Sequence, residues 1–82
     1  MRYVYMLWCA DNSIYTGITT NLDRRIYEHN HKTKWASYTK GKRPVNLLWS
    51  QQSENRSTAT KLEIQIKKLT KKQKIKMITN AK

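Results

Sequence analysis

The sequence predicts an α/β (α+β) fold: a three-stranded, mainly antiparallel sheet flanked by helices, in the order β-β-α-β-α-α. Two observations carry this. Three runs are rich in aromatic, β-branched and other apolar residues, and the first two are joined by a short polar turn. The segments between and after them repeat apolar residues every three or four positions and open on residues that cap helices. A third observation bounds the answer. At 82 residues the chain has room for one modest core, which makes a single domain over 1–82 the simplest organisation.

Tyr3-Val4-Tyr5-Met6-Leu7-Trp8-Cys9 is the first strand. Apolar residues do not alternate with polar ones there, so the strand should be central and covered on both faces. Asp11-Asn12-Ser13 is turn chemistry, and Ser13–Ile18 is a second β-prone run that closes a hairpin. Thr20-Asn21 offers a helix N-cap and Asp23 suits the first turn. Leu22, Ile26 and His29 then recur at helical spacing, giving a helix from about Leu22 to Asn30. Residues 31 to 44 form a basic loop containing His31, Lys32, Lys34, Lys40, Lys42 and Arg43, with Trp35 and Tyr38 interleaved. Val45–Ser50 is the third strand. Ser57 is the expected cap of the next helix, whose apolar stripe is Ala59, Leu62, Ile66 and Leu69. Thr70 caps a last short helix, with Ile75 and Ile78 apolar and its lysines solvated.

Charge narrows the function. Seventeen Lys plus Arg stand against five Asp plus Glu, a formal net charge of +12. Such a surplus repels itself in the folded state, and a polyanion relieves it; nucleic acid is the natural partner. One cysteine, Cys9, excludes an internal disulfide and a cysteine zinc site, and at the end of an apolar run it reads as a buried structural thiol. Arg2 followed by Tyr3–Ala10 superficially suggests a secretion signal. Its two tyrosines, the abrupt stop at Asp11 and the missing small-residue cleavage site argue against that. The expectation is a soluble, intracellular, cytoplasmic protein with no membrane partner, compatible with association with the nucleoid.

Four kinds of side chain could carry chemistry. Tyr5 and Tyr15 lie on paired strands, so their phenols could meet; strand tyrosines also commonly just pack. Arg25 and His29 are four apart and share a helix face, which suits a phosphate or a solvated basic face. Glu63 is the only acid after Glu54 and borders the apolar stripe of its helix. One carboxylate with phosphate oxygens is a normal setting for Mg²⁺, while an ion pair with Lys67 at i+4 is the alternative.

Taken together these residues resemble a known family. Tyr3-Val4-Tyr5 and Tyr15-Thr16-Gly17, ten residues apart by their tyrosines, look like the two halves of the GIY-YIG nuclease signature. Asn21–Asn30 resembles the helix that follows it, with its Arg and His. Glu63 falls where the family has its metal-binding glutamate. Tyr38-Thr39-Lys40-Gly41-Lys42-Arg43-Pro44 resembles the loop of small stand-alone YhbQ-like (UvrC N-terminal-like) members. The likeness covers about residues 2 to 78. It departs at Tyr3, where the signature has Gly, and at Thr16, where it has Ile. Some members also use a late Asn; Asn80 is the one candidate here, and that role is not carried over.

The resemblance implies a GIY-YIG endonuclease-like fold and a metal-dependent DNA endonuclease of low sequence specificity. Glu63 would bind one Mg²⁺ or Mn²⁺. Tyr5 would help deprotonate water beside Tyr15, Arg25 would stabilise charge on the phosphorane, and His29 would position the base or phosphate. Lys40, Lys42, Arg43, Lys67 and Lys71 would bind flanking phosphates without reading sequence. Nicked, flapped or branched DNA suits so small a protein, and RNA stays open, as do the pathway served and the oligomeric state. The competing reading is a non-catalytic nucleic-acid binding module in which Trp35 and Tyr38 stack on bases. A basic structural protein of a ribonucleoprotein is a third.

Overall fold

In a computed structural model, which describes residues 1–31 and 42–80, the hairpin comes first: β1 (Arg2–Trp8) and β2 (Ile14–Thr19). Asp11 makes their turn, its carboxylate accepting from the Ser13 amide at 3.0 Å and the Ser13 hydroxyl at 2.6 Å. Those bonds hold the Asp11 pKa below the ordinary carboxylate value, with Lys42 contributing. Asn12 takes up a positive φ of 68°, a conformation Asn tolerates better than most residues. The helix α1 (Leu22–His31) follows, then β3 (Asn46–Ser53), α2 (Arg56–Lys67) and α3 (Lys71–Asn80). The sheet order is β2-β1-β3, with both pairings antiparallel. The predicted class, order and central first strand are therefore what the fold has, and the sheet is wholly antiparallel.

The central position of β1 explains its continuous apolar run. Val4 and Met6 point to one face and join Ala59 and Ile66 of α2, with Leu62, Met77 and Ile78 packed around them. Tyr5 and Leu7 point to the other, where Cys9 and Val45 are buried with them and Leu22 and Ile26 of α1 close the layer. Both faces are packed against, so the strand has no polar alternation to show. Cys9 is buried and free, as expected of a structural thiol. No helix among the described residues is long and apolar enough to cross a membrane.

Helix starts agree with capping chemistry in two cases and correct it in one. Asn21 Oδ1 accepts from the Arg24 amide at 3.1 Å, capping α1. Thr70 and Gln73 exchange side-chain and backbone hydrogen bonds at 3.2 and 2.9 Å, a capping box at the start of α3. The cap of α2 is Asn55, not Ser57: its side chain accepts from the Thr58 amide at 2.9 Å while its backbone is extended. Asn caps as well as Ser, and β3 runs to Ser53, three residues beyond the predicted end, so the chain turns into the helix as soon as it leaves the sheet. In α3, Met77 and Ile78 face the core and Ile75 is exposed, a shift of the apolar stripe by one side chain.

Two side chains pin the end of α1 to the start of β3. Asn30 donates through Nδ2 to the Val45 carbonyl at 3.2 Å and accepts from the Val45 amide at 2.8 Å. Arg43 Nε donates to the His29 carbonyl at 2.8 Å. These bonds satisfy backbone groups that a helix end and a strand start otherwise leave to water. They also fix His29, which is almost completely buried.

Candidate active site

The hairpin sets Tyr5 and Tyr15 on the same face of adjacent strands. Tyr5 pairs with Gly17 across the ladder, and Tyr15 sits two residues before Gly17. The ring centroids of the two tyrosines are 6.2 Å apart. His29 reaches up from α1 between them, with centroids 6.0 Å from Tyr5 and 5.0 Å from Tyr15, both edge-on. Its Nε2 lies 3.0 Å from Tyr5 Oη. Arg25, one turn earlier, donates from Nε to the same Tyr5 hydroxyl at 3.4 Å and from Nη1 to Glu28 at 3.2 Å.

Gly17 is part of this geometry. A Cβ there would lie 2.6 Å from Tyr5 Oη and 2.8 Å from Tyr5 Cζ. The phenol rests directly on the glycine, and only a residue without a side chain lets Tyr5 keep its bond to His29. The glycine of the second tripeptide is thus a steric requirement of the tyrosine in the first.

Around this cluster opens a cleft of about 580 Å³ lined by Arg2, Tyr5, Tyr15, Gly17, Ile18, Arg25, Arg56, Thr60 and Glu63. Three guanidiniums and one carboxylate make it strongly electropositive. β2 is an edge strand, and the cleft collects residues from α1, the hairpin and α2. Tyr5, Tyr15, Arg25 and Glu63 are therefore gathered on one cavity, with His29 bonded behind Tyr5. Glu63 also forms the ion pair that the sequence offered as an alternative, Lys67 Nζ lying 3.3 Å from its Oε2. The ion pair does not remove Glu63 from the cleft: one oxygen meets Lys67, and the side chain still lines the cavity.

The predicted flanking cations divide differently. Lys67 pairs with Glu63, and Lys71 Nζ sits 4.9 Å above the Trp8 ring. Lys42 is 3.6 Å from Asp11, and Arg43 supports the carbonyl of His29. None of these four lines the cleft. Lys40, Trp35 and Tyr38 lie outside the described residues, as does the side chain of Asn80. Sequence reasoning missed Arg2, Arg56 and Thr60. Each lies beside a recognised segment, yet only the folded proximity of the start of β1 to the first turns of α2 brings them to the cavity.

Burial and charge set the protonation states. The Tyr5 phenol is pushed up to about 12, chiefly by burial, against the hydrogen bond from Arg25, which lowers it; Tyr15 and Glu63 push further up. His29 is pushed down to about 4, first by burial and then by the charge of Arg25. Around neutral pH the cluster holds a protonated phenol and a neutral imidazole. Because the folded pKa of His29 lies below its ordinary 6.5, folding favours the neutral ring. That contribution is complete above about pH 6.5 and is lost as pH falls toward 4. Thermal melts between pH 7 and pH 4 should show this decline, and His29→Gln should flatten it; an equally steep decline in the variant would assign the loss to other groups.

The hairpin and α1 thus bring Tyr5, Tyr15, Arg25 and His29 together, and α2 brings Glu63 to the same cleft, the residues that the resemblance to GIY-YIG nucleases singles out. The description "GIY-YIG catalytic domain" matches residues 1–76, and the chain belongs to this family. Among its relatives is a UPF0213 protein of Desulfotalea psychrophila, 50% identical over 68 residues; the match spans 83% of this chain and 62% of that one, so just under two thirds of that relative's length is represented here. A UPF0213 protein of Clostridium perfringens is 46% identical over 80 residues, covering 98% of this chain and 85% of its own. A solution NMR structure of a protein from E. faecalis shares the fold with a TM-score of 0.65 at 40% identity, covering 98% of this chain and 85% of the other.

Proposed function

We propose that this protein is a divalent-metal-dependent endonuclease that hydrolyses phosphodiester bonds of DNA with little sequence preference. The observation that carries the reading is the convergence of Tyr5, Tyr15, Arg25 and Glu63 on one electropositive cleft, with His29 hydrogen-bonded to Tyr5.

The donor set fits a hard cation. Glu63 supplies an anionic oxygen at the cleft, and the described residues contain no group of three or more His, Cys, Asp or Glu that would build an all-protein site. Mg²⁺ or Mn²⁺ keeps much of its shell as water and phosphate oxygen, which one carboxylate suffices to anchor. Bound there, the ion would supply Lewis-acid polarisation of the phosphate and charge stabilisation at the leaving oxygen.

The protein's own groups do the rest. Arg25 neutralises charge on the phosphoryl oxygens as they gain it. Tyr5 accepts a hydrogen bond from Arg25 and, with His29 carrying its proton on Nδ1, donates to the imidazole Nε2. A neutral His29 can therefore receive the Tyr5 proton as the phenol takes one from water. The water oxygen forms the new P–O bond as its proton passes through Tyr5 to His29; the bond to the leaving oxygen breaks, that oxygen takes a proton from solvent, and His29 gives its extra proton back to solvent. A phenol near 12 is a reluctant base on its own. Glu63's negative charge is one cause of that value, so neutralising the carboxylate eases the phenol's ionisation. Tyr15 packs against His29 and holds its plane.

The test is a cleavage panel. Supercoiled plasmid and nicked, flapped and branched DNA, with matching RNA, should be incubated with Mg²⁺, with Mn²⁺ and with EDTA. Nicking of DNA that EDTA stops is the expected result. Salt-sensitive binding with no cutting of any substrate would instead make the protein a binding module.

A further inference from the structure

The cleft holds more positive charge than one phosphate requires. Arg25 is bonded to Tyr5 and Glu28, within the cluster already described. Arg2 and Arg56 line the same cavity from the start of β1 and the first turn of α2, and among the described residues neither forms an ion pair. Thr60, one turn beyond Arg56 on α2, adds a hydroxyl to the same wall. With a divalent cation on Glu63, these charges and Arg25 exceed the single negative charge of a scissile phosphodiester several-fold. Excess cationic charge in a cleft is relieved by further anions, and guanidiniums suit phosphate oxygens because their N–H groups form a planar fork.

We propose that Arg2 and Arg56, with the Thr60 hydroxyl, form a second phosphate subsite that takes the backbone phosphate adjacent to the scissile one. The cleft then accepts one nucleic-acid strand over at least two consecutive phosphates, and a ligand with a single phosphodiester leaves the subsite empty. The assignment rests on the reading of Tyr5, Arg25 and Glu63 as the scissile-phosphate site. It makes Arg2 and Arg56 binding residues that position the strand, without part in the bond-breaking step.

The experiment compares two probes by NMR titration of the isotope-labelled protein at low salt in EDTA: a thymidine dinucleotide with one phosphodiester and the trinucleotide with two. The wild type should bind the trinucleotide roughly ten-fold more tightly, and the Arg56 and Thr60 amide resonances should move with the trinucleotide far more than with the dinucleotide. In the double variant Arg2→Ala, Arg56→Ala the two probes should bind alike, with dinucleotide affinity within about two-fold of wild type. A wild type that does not distinguish the probes overturns the proposal, and so does a double variant that keeps the ten-fold gain. Should the double variant not fold, Arg56→Ala alone decides: its side chain is exposed, and an undiminished gain overturns the subsite. Because these titrations need no turnover, a protein that shows the gain but cuts nothing with Mg²⁺ or Mn²⁺ retains the subsite and refutes the hydrolytic reading.

Discussion

Glu63→Gln is expected to reduce metal-dependent DNA cleavage by at least about 10²–10³-fold while leaving DNA binding intact. The amide keeps the size and position of the carboxylate and removes its charge, so a divalent cation loses its anionic protein donor in the cleft. Binding measured in EDTA should hold or tighten, because a basic cleft has lost its one negative group. Stability should hardly change. The ion pair lost with Lys67 is partly exposed, with Lys67 about half exposed, and such pairs contribute little. The Tyr5 phenol should ionise more readily, since Glu63 is one of the groups that raises its pKa. Glu54→Gln is the control: Glu54 is exposed and outside the cleft, and its loss should leave cutting unchanged. If Glu63→Gln nicks plasmid at the wild-type rate with Mn²⁺, the carboxylate holds no catalytic ion.

The difference between these two glutamates was partly legible in the sequence. Glu63 sits beside an apolar helical stripe, and Glu54 follows the end of a strand. Likewise His29 continues the spacing of Leu22 and Ile26, which places it inward, where it is found buried. The unalternating run from Tyr3 to Cys9 correctly implied a strand covered twice. What local pattern does not encode is proximity between distant segments. Arg2 opens β1 and Arg56 opens α2, 54 residues later; only the antiparallel pairing of β1 and β3, followed by the immediate turn into α2, puts both on one cavity. Arg43 reads as one more cation in a basic loop, and its bond to the His29 carbonyl exists only because the end of α1 meets the start of β3. Asn55 and Ser57 are equally good caps on chemistry alone, and the length of β3 chose between them.

Arg25→Ala is the second large effect, expected to lower kcat by about 10²–10³-fold. Its distinguishing consequence lies in the neighbouring titrations. The Arg25 charge is the second cause, after burial, of the low pKa of His29, and its hydrogen bond is what restrains the rise of Tyr5. Without the guanidinium, the His29 pKa should move up from about 4 toward its ordinary 6.5, and the Tyr5 pKa should rise further. The sign for stability follows. A His29 pKa closer to that of the unfolded chain weakens the pH dependence of folding between pH 6.5 and 4, so the variant's melting curve should fall less steeply with acid than the wild type's. Arg25→Lys tests charge against shape: an ammonium returns the positive charge that depresses His29 but lacks the planar fork, so the imidazole titration should recover while cleavage remains well below wild type. An Arg25 that merely packed α1 against the sheet would lose stability on truncation without moving the His29 resonance titration. An unmoved His29 together with unimpaired cutting would remove the guanidinium from the site.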